Sequence, residues 1–163
     1  MIAQQVVDLL RFNRATICTA ESVTGGEIAS TLVAIPGASE VFSGGVVTYT
    51  VHSKIKVLGI SDIELGHGVV SKEVALGMAV RARELFASDF ALSSTGVAGP
   101  GPDRGVPAGT IWLGFASKSA SGAVFVQIPP SISDRNAIRA AAVEASLNLV
   151  LKAGLFAELH PQT

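Results

Sequence analysis

Ala15-Thr16-Ile17-Cys18-Thr19-Ala20-Glu21-Ser22-Val23-Thr24-Gly25-Gly26 is the stretch on which the fold turns. Residues 15–20 are apolar, small or β-branched and read as a buried strand. Thr24 or Gly25 then opens a helix that runs to about Ala34, where Pro36-Gly37 stops it. The turn between them holds a serine, the residue type that either caps a helix or acts as a nucleophile.

Working outward, residues 3–13 carry Val6, Leu9 and Leu10 at helical spacing. A second strand is expected over roughly 43–50, followed by a short helix from Lys54 to Leu58 that ends at Gly59. Residues 61–69 read as loop. Ser71 fits an N-cap, with Val74, Ala75, Met78, Ala79, Ala82 and Leu85 forming one apolar face behind it. Residues 90–95 read as a third strand and 96–109, dominated by glycine and proline, as a loop. Strands near 109–117 and 123–129 are joined by Ser119-Ala120-Ser121-Gly122, which predicts a hairpin. A last helix opens at Ser133 or Asp134, with Ile138, Ala141, Ala142, Ala145 and Leu149 on its apolar side.

Strands alternating with helices, then a late hairpin, predict an α/β fold: a three-layer α/β/α sandwich around a mixed, mostly parallel sheet of about five strands. The 163 residues fit one domain spanning 1–163, and 48% hydrophobic against 15% charged residues leaves ample material for a core. The high glycine and alanine content suits helices packed closely on the sheet.

Net charge is −1, and no run of Lys or Arg supplies the basic stripe that a nucleic-acid surface needs. An anionic small molecule stays open, since a few arginines and backbone N–H groups suffice to hold one. Cys18 is the only cysteine, which excludes an intrachain disulfide, and it reads as an inert core thiol. Neither a signal-peptide pattern nor an apolar run of membrane-spanning length is present, so a soluble, cytoplasmic protein is expected. His52, His67 and His160 are scattered and show no metal-ligand spacing, so neither a metal nor another cofactor is expected.

Three segments rich in Ser, Thr and Gly each follow a strand: Glu21–Gly26, Thr48–Lys54 and Ser94–Gly101. If those strands are parallel neighbours, all three project from one sheet edge, the edge at which open α/β sheets bind ligands. Ser22 at a strand-to-helix turn fits a nucleophile, and backbone N–H groups from Val23 to Gly26 fit an anion or oxyanion; the same residues also read as helix capping. Lys54 fits a base if burial strips its charge, or a solvated surface charge. Thr95, Gly96 and Gly99 sit in a loop that either approaches a ligand or turns between strands. Tyr49, the one tyrosine, fits a site hydroxyl or a core ring. Arg135 and Arg139, one turn apart, fit an anion clamp or partners for Asp134 and Glu144. Trp112 alternates with Thr110 and Gly114 on its strand and reads as core.

Thr19–Gly26, Gly45-Val-Val-Thr-Tyr49 with Lys54, Gly68-Val-Val-Ser71, Ser94–Pro100 and Pro107-Ala-Gly-Thr110, in this order, closely resemble the CinA C-terminal domain family, which includes the stand-alone nicotinamide-nucleotide amidases. The resemblance covers nearly the whole chain. It implies an α/β/α sandwich and deamidation of nicotinamide mononucleotide to nicotinate mononucleotide and ammonia, a step of pyridine nucleotide salvage, at a Ser–Lys site. It places Ser22 on the nucleophile, Lys54 on the base, Tyr49 with the 94–101 loop on the pocket, and Arg135 or Arg139 on the positive group near the last helix. The chain departs from the family pattern in two places. Val51-His52 stands where an Asn-acidic pair is usual, and Asp103-Arg104-Gly105-Val106 replaces a longer acidic loop and its lysine.

The expected catalytic set is therefore Ser22, Lys54 and Tyr49, and the expected substrate-binding set is Glu21, Thr24, Gly25, Gly26, Thr95, Gly96, Gly99, Arg135 and Arg139. The expected oxyanion donors are N–H groups near Gly25–Gly26 or Gly96. The rival readings are a non-catalytic nucleotide- or partner-binding module tied to competence or DNA damage, and an amidase for another small carboxamide. Leu155 and Phe156 near the C-terminus fit a homodimer or higher homo-oligomer.

Overall fold

A computed structural model describes residues 1–152 of the chain. Five strands form one sheet in the order β2-β1-β3-β4-β5: β1 (Ile17–Glu21), β2 (Phe42–Val47), β3 (Phe90–Gly96), β4 (Thr110–Ala116) and β5 (Ser121–Gln127). β1 pairs parallel with both β2 and β3, whereas β3–β4 and β4–β5 are antiparallel. Only β4 therefore runs against the other four, which is the mixed, mostly parallel sheet expected.

All five β1 residues are buried, because helices cover both faces of the sheet. Ile17 packs with Val6 and Leu10 of α1 (Ile2–Phe12), Ile28 and Leu32 of α2 (Glu27–Val33) and Leu147 of α6 (Arg135–Lys152). Cys18 and Ala20 point the other way, against Leu58 of α3 (Val51–Leu58) and Met78, Ala79 and Ala82 of α5 (Lys72–Phe86). Small residues let α5 approach closely: a Cβ at Gly114 would run into the Ala75 carbonyl and the Ser93 hydroxyl.

Several boundaries differ from expectation. The segment 61–69 contains α4 (Asp62–Leu65), closed by a capping box in which the Ser61 hydroxyl accepts from the Glu64 N–H and the Glu64 carboxylate accepts from the Ser61 N–H. β2 ends at Val47, and α3 begins at Val51, a turn before Lys54, because Thr50 and Ser53 form a second capping box. α2 begins at Glu27, since Gly25 and Gly26 adopt φ of +63° and +98° to turn the chain out of β1. The hairpin forms as expected, although β5 begins at Ser121, inside the expected connection, and ends at Gln127; the Ser71 cap and the Asp134 cap of α6 stand as expected. Leu155, Phe156 and His160 lie outside the described residues. Among the described residues no helix is long and apolar enough to cross a membrane.

The topology brings five chain segments to one edge. β1, β2 and β3 end there, the 97–109 loop leads there into the start of β4, and β5 ends there before the chain enters α6.

Candidate functional site

At that edge lies a cleft of about 890 Å³. Ser22 follows β1 directly and lines the cleft floor, 7% exposed. Its position is fixed from three sides. The Ser22 N–H donates to the Ser94 carbonyl (2.9 Å), the Gly25 N–H donates to the Ser22 carbonyl (3.1 Å), and Arg139 donates to the carbonyls of Val23 (3.2 Å) and Thr24 (2.9 Å).

Lys54 sits behind Ser22 and is fully buried. Its Nζ lies 2.8 Å from Ser22 Oγ and 2.6 Å from the Thr48 carbonyl oxygen. No carboxylate is among these partners. Burial removes water from the ammonium and pushes its pKa down from 10.5 to about 8. At pH 7 roughly a tenth of the amine is then neutral, with a lone pair within hydrogen-bond reach of a hydroxyl. Such a pair can exchange a proton and raise the nucleophilicity of the oxygen.

Glu21 does not reach the cleft. It is fully buried, and its carboxylate accepts from the Thr24 hydroxyl (2.7 Å) and from the N–H groups of Gly26 (2.9 Å), Ile28 (3.0 Å) and Ala29 (2.8 Å). It thus caps the start of α2 in place of a side chain at the cap position. The Ser94 hydroxyl joins this network through Thr24 Oγ1 at 2.6 Å. Glu21, Thr24, Gly25 and Gly26, expected against substrate, instead build the turn that presents Ser22. Arg139 joins them: beyond its two carbonyls it pairs with Glu27 (2.9 Å), and its guanidinium lies against Gly25. The Gly25 and Gly26 N–H groups, expected as oxyanion donors, already have acceptors. The N–H groups of Val23 and Thr24 make no hydrogen bond within the described residues.

Tyr49, Thr95, Gly96, Gly99 and Arg135 do line the cleft. Arg135 joins its walls, donating to the Gly99 carbonyl (2.7 Å) and the Tyr49 hydroxyl (2.8 Å). Tyr49 stands just past β2, more than half exposed, so it is a surface group of the cleft and not a core ring. The Thr95 hydroxyl ties β3 to the Val69 carbonyl (3.0 Å), holding the 67–70 segment as another wall. His52, His67, Asp103 and Arg104 also line the cleft, although sequence spacing singled out none of them as site residues. The available signals were the two departures from the family pattern, which contain His52, Asp103 and Arg104, and adjacency for His67, which abuts Gly68-Val-Val-Ser71.

The family model of the CinA C-terminal domain matches residues 1–153. A CinA-like protein of Solibacter usitatus is 42% identical over 144 residues, covering 87% of this chain and 34% of that protein. A putative competence-damage inducible protein of Streptococcus gordonii is 44% identical over 153 residues, covering 91% of this chain and 35% of that protein. The chain thus spans about a third of the length of these curated relatives. Among solved structures, a CinA superfamily protein from Escherichia coli superposes with a TM-score of 0.88 at 30% identity, covering 93% of this chain and 88% of that one. A competence/damage inducible protein from Agrobacterium tumefaciens gives 0.86 at 32% identity, covering 92% of each chain.

Proposed function

The chain belongs to the CinA C-terminal domain family, and we propose that within it the chain is an amidohydrolase that converts nicotinamide mononucleotide to nicotinate mononucleotide and ammonia. The observation that carries this reading is the 2.8 Å contact between the cleft-floor hydroxyl of Ser22 and the buried amine of Lys54.

In this mechanism neutral Lys54 takes the Ser22 proton as Oγ attacks the carboxamide carbon. The C–N bond breaks, the Lys54 ammonium returns that proton to the departing nitrogen, and ammonia leaves an ester on Ser22. Water then adds to the ester with Lys54 again accepting a proton, and the carboxylate product departs as Ser22 Oγ is reprotonated. The oxyanion of each tetrahedral intermediate is met by the N–H of Val23, next to the nucleophile and without an acceptor among the described residues. The Thr48 carbonyl accepts one Nζ proton and so helps turn the amine lone pair toward Ser22. Arg135 and Tyr49 hold the two cleft walls at a fixed separation, and Val69, Val70, Val97 and Ala98 offer apolar surface to the pyridine ring.

Ammonia and nicotinate mononucleotide, quantified after incubation with nicotinamide mononucleotide and a panel of other carboxamides, test the reading. The parent chain should turn over the mononucleotide, and Ser22→Ala should lower the rate by at least roughly a thousandfold without unfolding. Stoichiometric binding with no turnover would transfer the chain to the non-catalytic reading, and turnover confined to another amide would transfer it to a different substrate. An unchanged rate in Ser22→Ala would remove the nucleophile.

A further inference from the structure

The chemistry uses the buried Ser22–Lys54 pair, and three exposed basic side chains lining the same cleft have no place in it. His52 stands in the first turn of α3, His67 follows α4, and Arg104 sits at the tip of the 103–106 turn; all three are exposed and line the same cleft. None of their side chains makes a hydrogen bond or ion pair with another described residue. Among the described residues Asp103 is the only carboxylate lining the cleft, and no ion pair joins it to Arg104.

Each basic group is carried on a well-defined support. The α3 start is fixed by the Thr50–Ser53 capping box, and the N–H groups of Val51 and His52 there have no acceptor among the described residues. α4 is tied to α5 by Glu64, which pairs with both Arg81 nitrogens at 2.8 and 3.0 Å. Arg104 (φ +49°) and Gly105 (φ +81°) form the two-residue tip of a turn closed by reciprocal Asp103–Val106 hydrogen bonds of 3.0 and 2.8 Å. Arg135, the other arginine lining the cleft among the described residues, already donates to the Gly99 carbonyl and the Tyr49 hydroxyl.

We propose that His52, His67 and Arg104 form an anion subsite at the mouth of the cleft, which takes the phosphate of the substrate while its carboxamide reaches Ser22. The identity of the substrate rests on the amidohydrolase reading; the subsite rests on the placement of the three side chains. An imidazole offers at least one N–H donor in either protonation state, and a guanidinium offers five in a fork suited to phosphate oxygens. The apolar surface of Val69, Val70, Val97 and Ala98 lies in the same cleft and suits the uncharged ring.

The test compares nicotinamide mononucleotide with nicotinamide riboside, which lacks the phosphate, on the parent and on His52→Gln, His67→Gln and Arg104→Asn. Asparagine tolerates the left-handed conformation at the turn, so the last change removes the charge and keeps the backbone. Each change should weaken the mononucleotide by about tenfold, as expected for one charge-assisted hydrogen bond, and leave the riboside unaffected. Two readouts are taken: KM and kcat in the active chain, and Kd by calorimetry in the Ser22→Ala background. KM and Kd for the mononucleotide should rise together, with kcat unchanged. If the parent releases no ammonia but the rim changes still weaken mononucleotide binding selectively, the amidase reading fails and the subsite stands. If ammonia is released and the rim changes leave KM and Kd untouched, or weaken both ligands equally, the subsite is overturned and the amidase reading survives. Loss of the phosphate preference in Arg135→Lys, with rim variants behaving as the parent, also overturns it.

Discussion

A buried lysine is the most informative single residue of this chain. Its amine has two neutral oxygens as partners, Ser22 Oγ and the Thr48 carbonyl, and burial alone draws its pKa to about 8. If Lys54 is the base, the active form is the deprotonated one. kcat/KM, which reports the free enzyme, should therefore climb about tenfold per pH unit below pH 8 and level off above it, read from ammonia release at substrate well below KM. A profile flat from pH 6 to pH 9 would sink the assignment. Lys54→Arg is the sharper variant, because a guanidinium keeps its charge across this whole range. It should be inactive at every pH, whereas a role for Lys54 limited to positive charge would leave Lys54→Arg partly active. The Ser22–Lys54 pair was legible in the sequence because each residue follows a strand that ends at the same sheet edge. The role of Arg139 was not legible. Its carbonyl partners at Val23 and Thr24 lie 116 and 115 residues away in sequence, and a helix-surface arginine reads the same whether it faces a ligand or a loop backbone.

At the scale of elements, the seat of α5 on the sheet decides how well the end of β3 is held. The Ser93 hydroxyl donates to the Ala75 carbonyl at 2.6 Å, and Gly114 on β4 leaves the space in which that carbonyl lies. Gly114→Ala would place a methyl group against backbone that cannot swing aside. It should cost about 2–3 kcal/mol in denaturant unfolding, toward the severe end for a single methyl. Gly101→Ala, where nothing lies within 4 Å, should cost little and serves as the control. Equal losses at both positions would show that α5 does not sit where it is described. The elements themselves were largely predictable, since strand and helix periods are read within a single segment. α4 is not legible by periodicity because four residues are too few to show a period, although Ser61 and Glu64 spell out its capping box. The Glu21 cap of α2 escaped for another reason: a carboxylate at a strand end reads as a site group until the turn beyond it is seen folding back onto it.

For the molecule as a whole, housing an ionisable amine at the cleft floor carries a stability cost that pH should reveal. The unfolded chain keeps Lys54 protonated up to about 10.5, whereas the folded chain releases that proton near 8. Between these values the unfolded state binds more protons, so folding stability should rise with pH across the window. The rise from this group amounts to about 3 kcal/mol, from roughly 1.4 kcal/mol per pKa unit. Cys18 acts in the opposite sense. Burial pushes its thiol from 9.0 up to about 11, so the unfolded chain loses that proton first and stability should fall between those values. The two effects overlap, and the parent should gain stability mainly between pH 8 and pH 9, flatten towards 10.5 and then decline. Lys54→Met separates them, because it keeps Cys18 and removes the amine. At neutral pH the variant should be more stable than the parent by ~1–2 kcal/mol, the desolvation relieved less the two hydrogen bonds lost. That advantage should shrink as pH rises through the window, since the cost of deprotonating the amine on folding falls with pH and vanishes above about 10.5, where the amine is neutral in both states. Urea midpoints for the pair at pH 7, 8.5 and 10 carry the test. A Lys54→Met chain less stable than the parent at pH 7, or a gap that widens with pH, would mean that the amine is paid for by contacts stronger than the two described, and that it does not stand ready to act as a base.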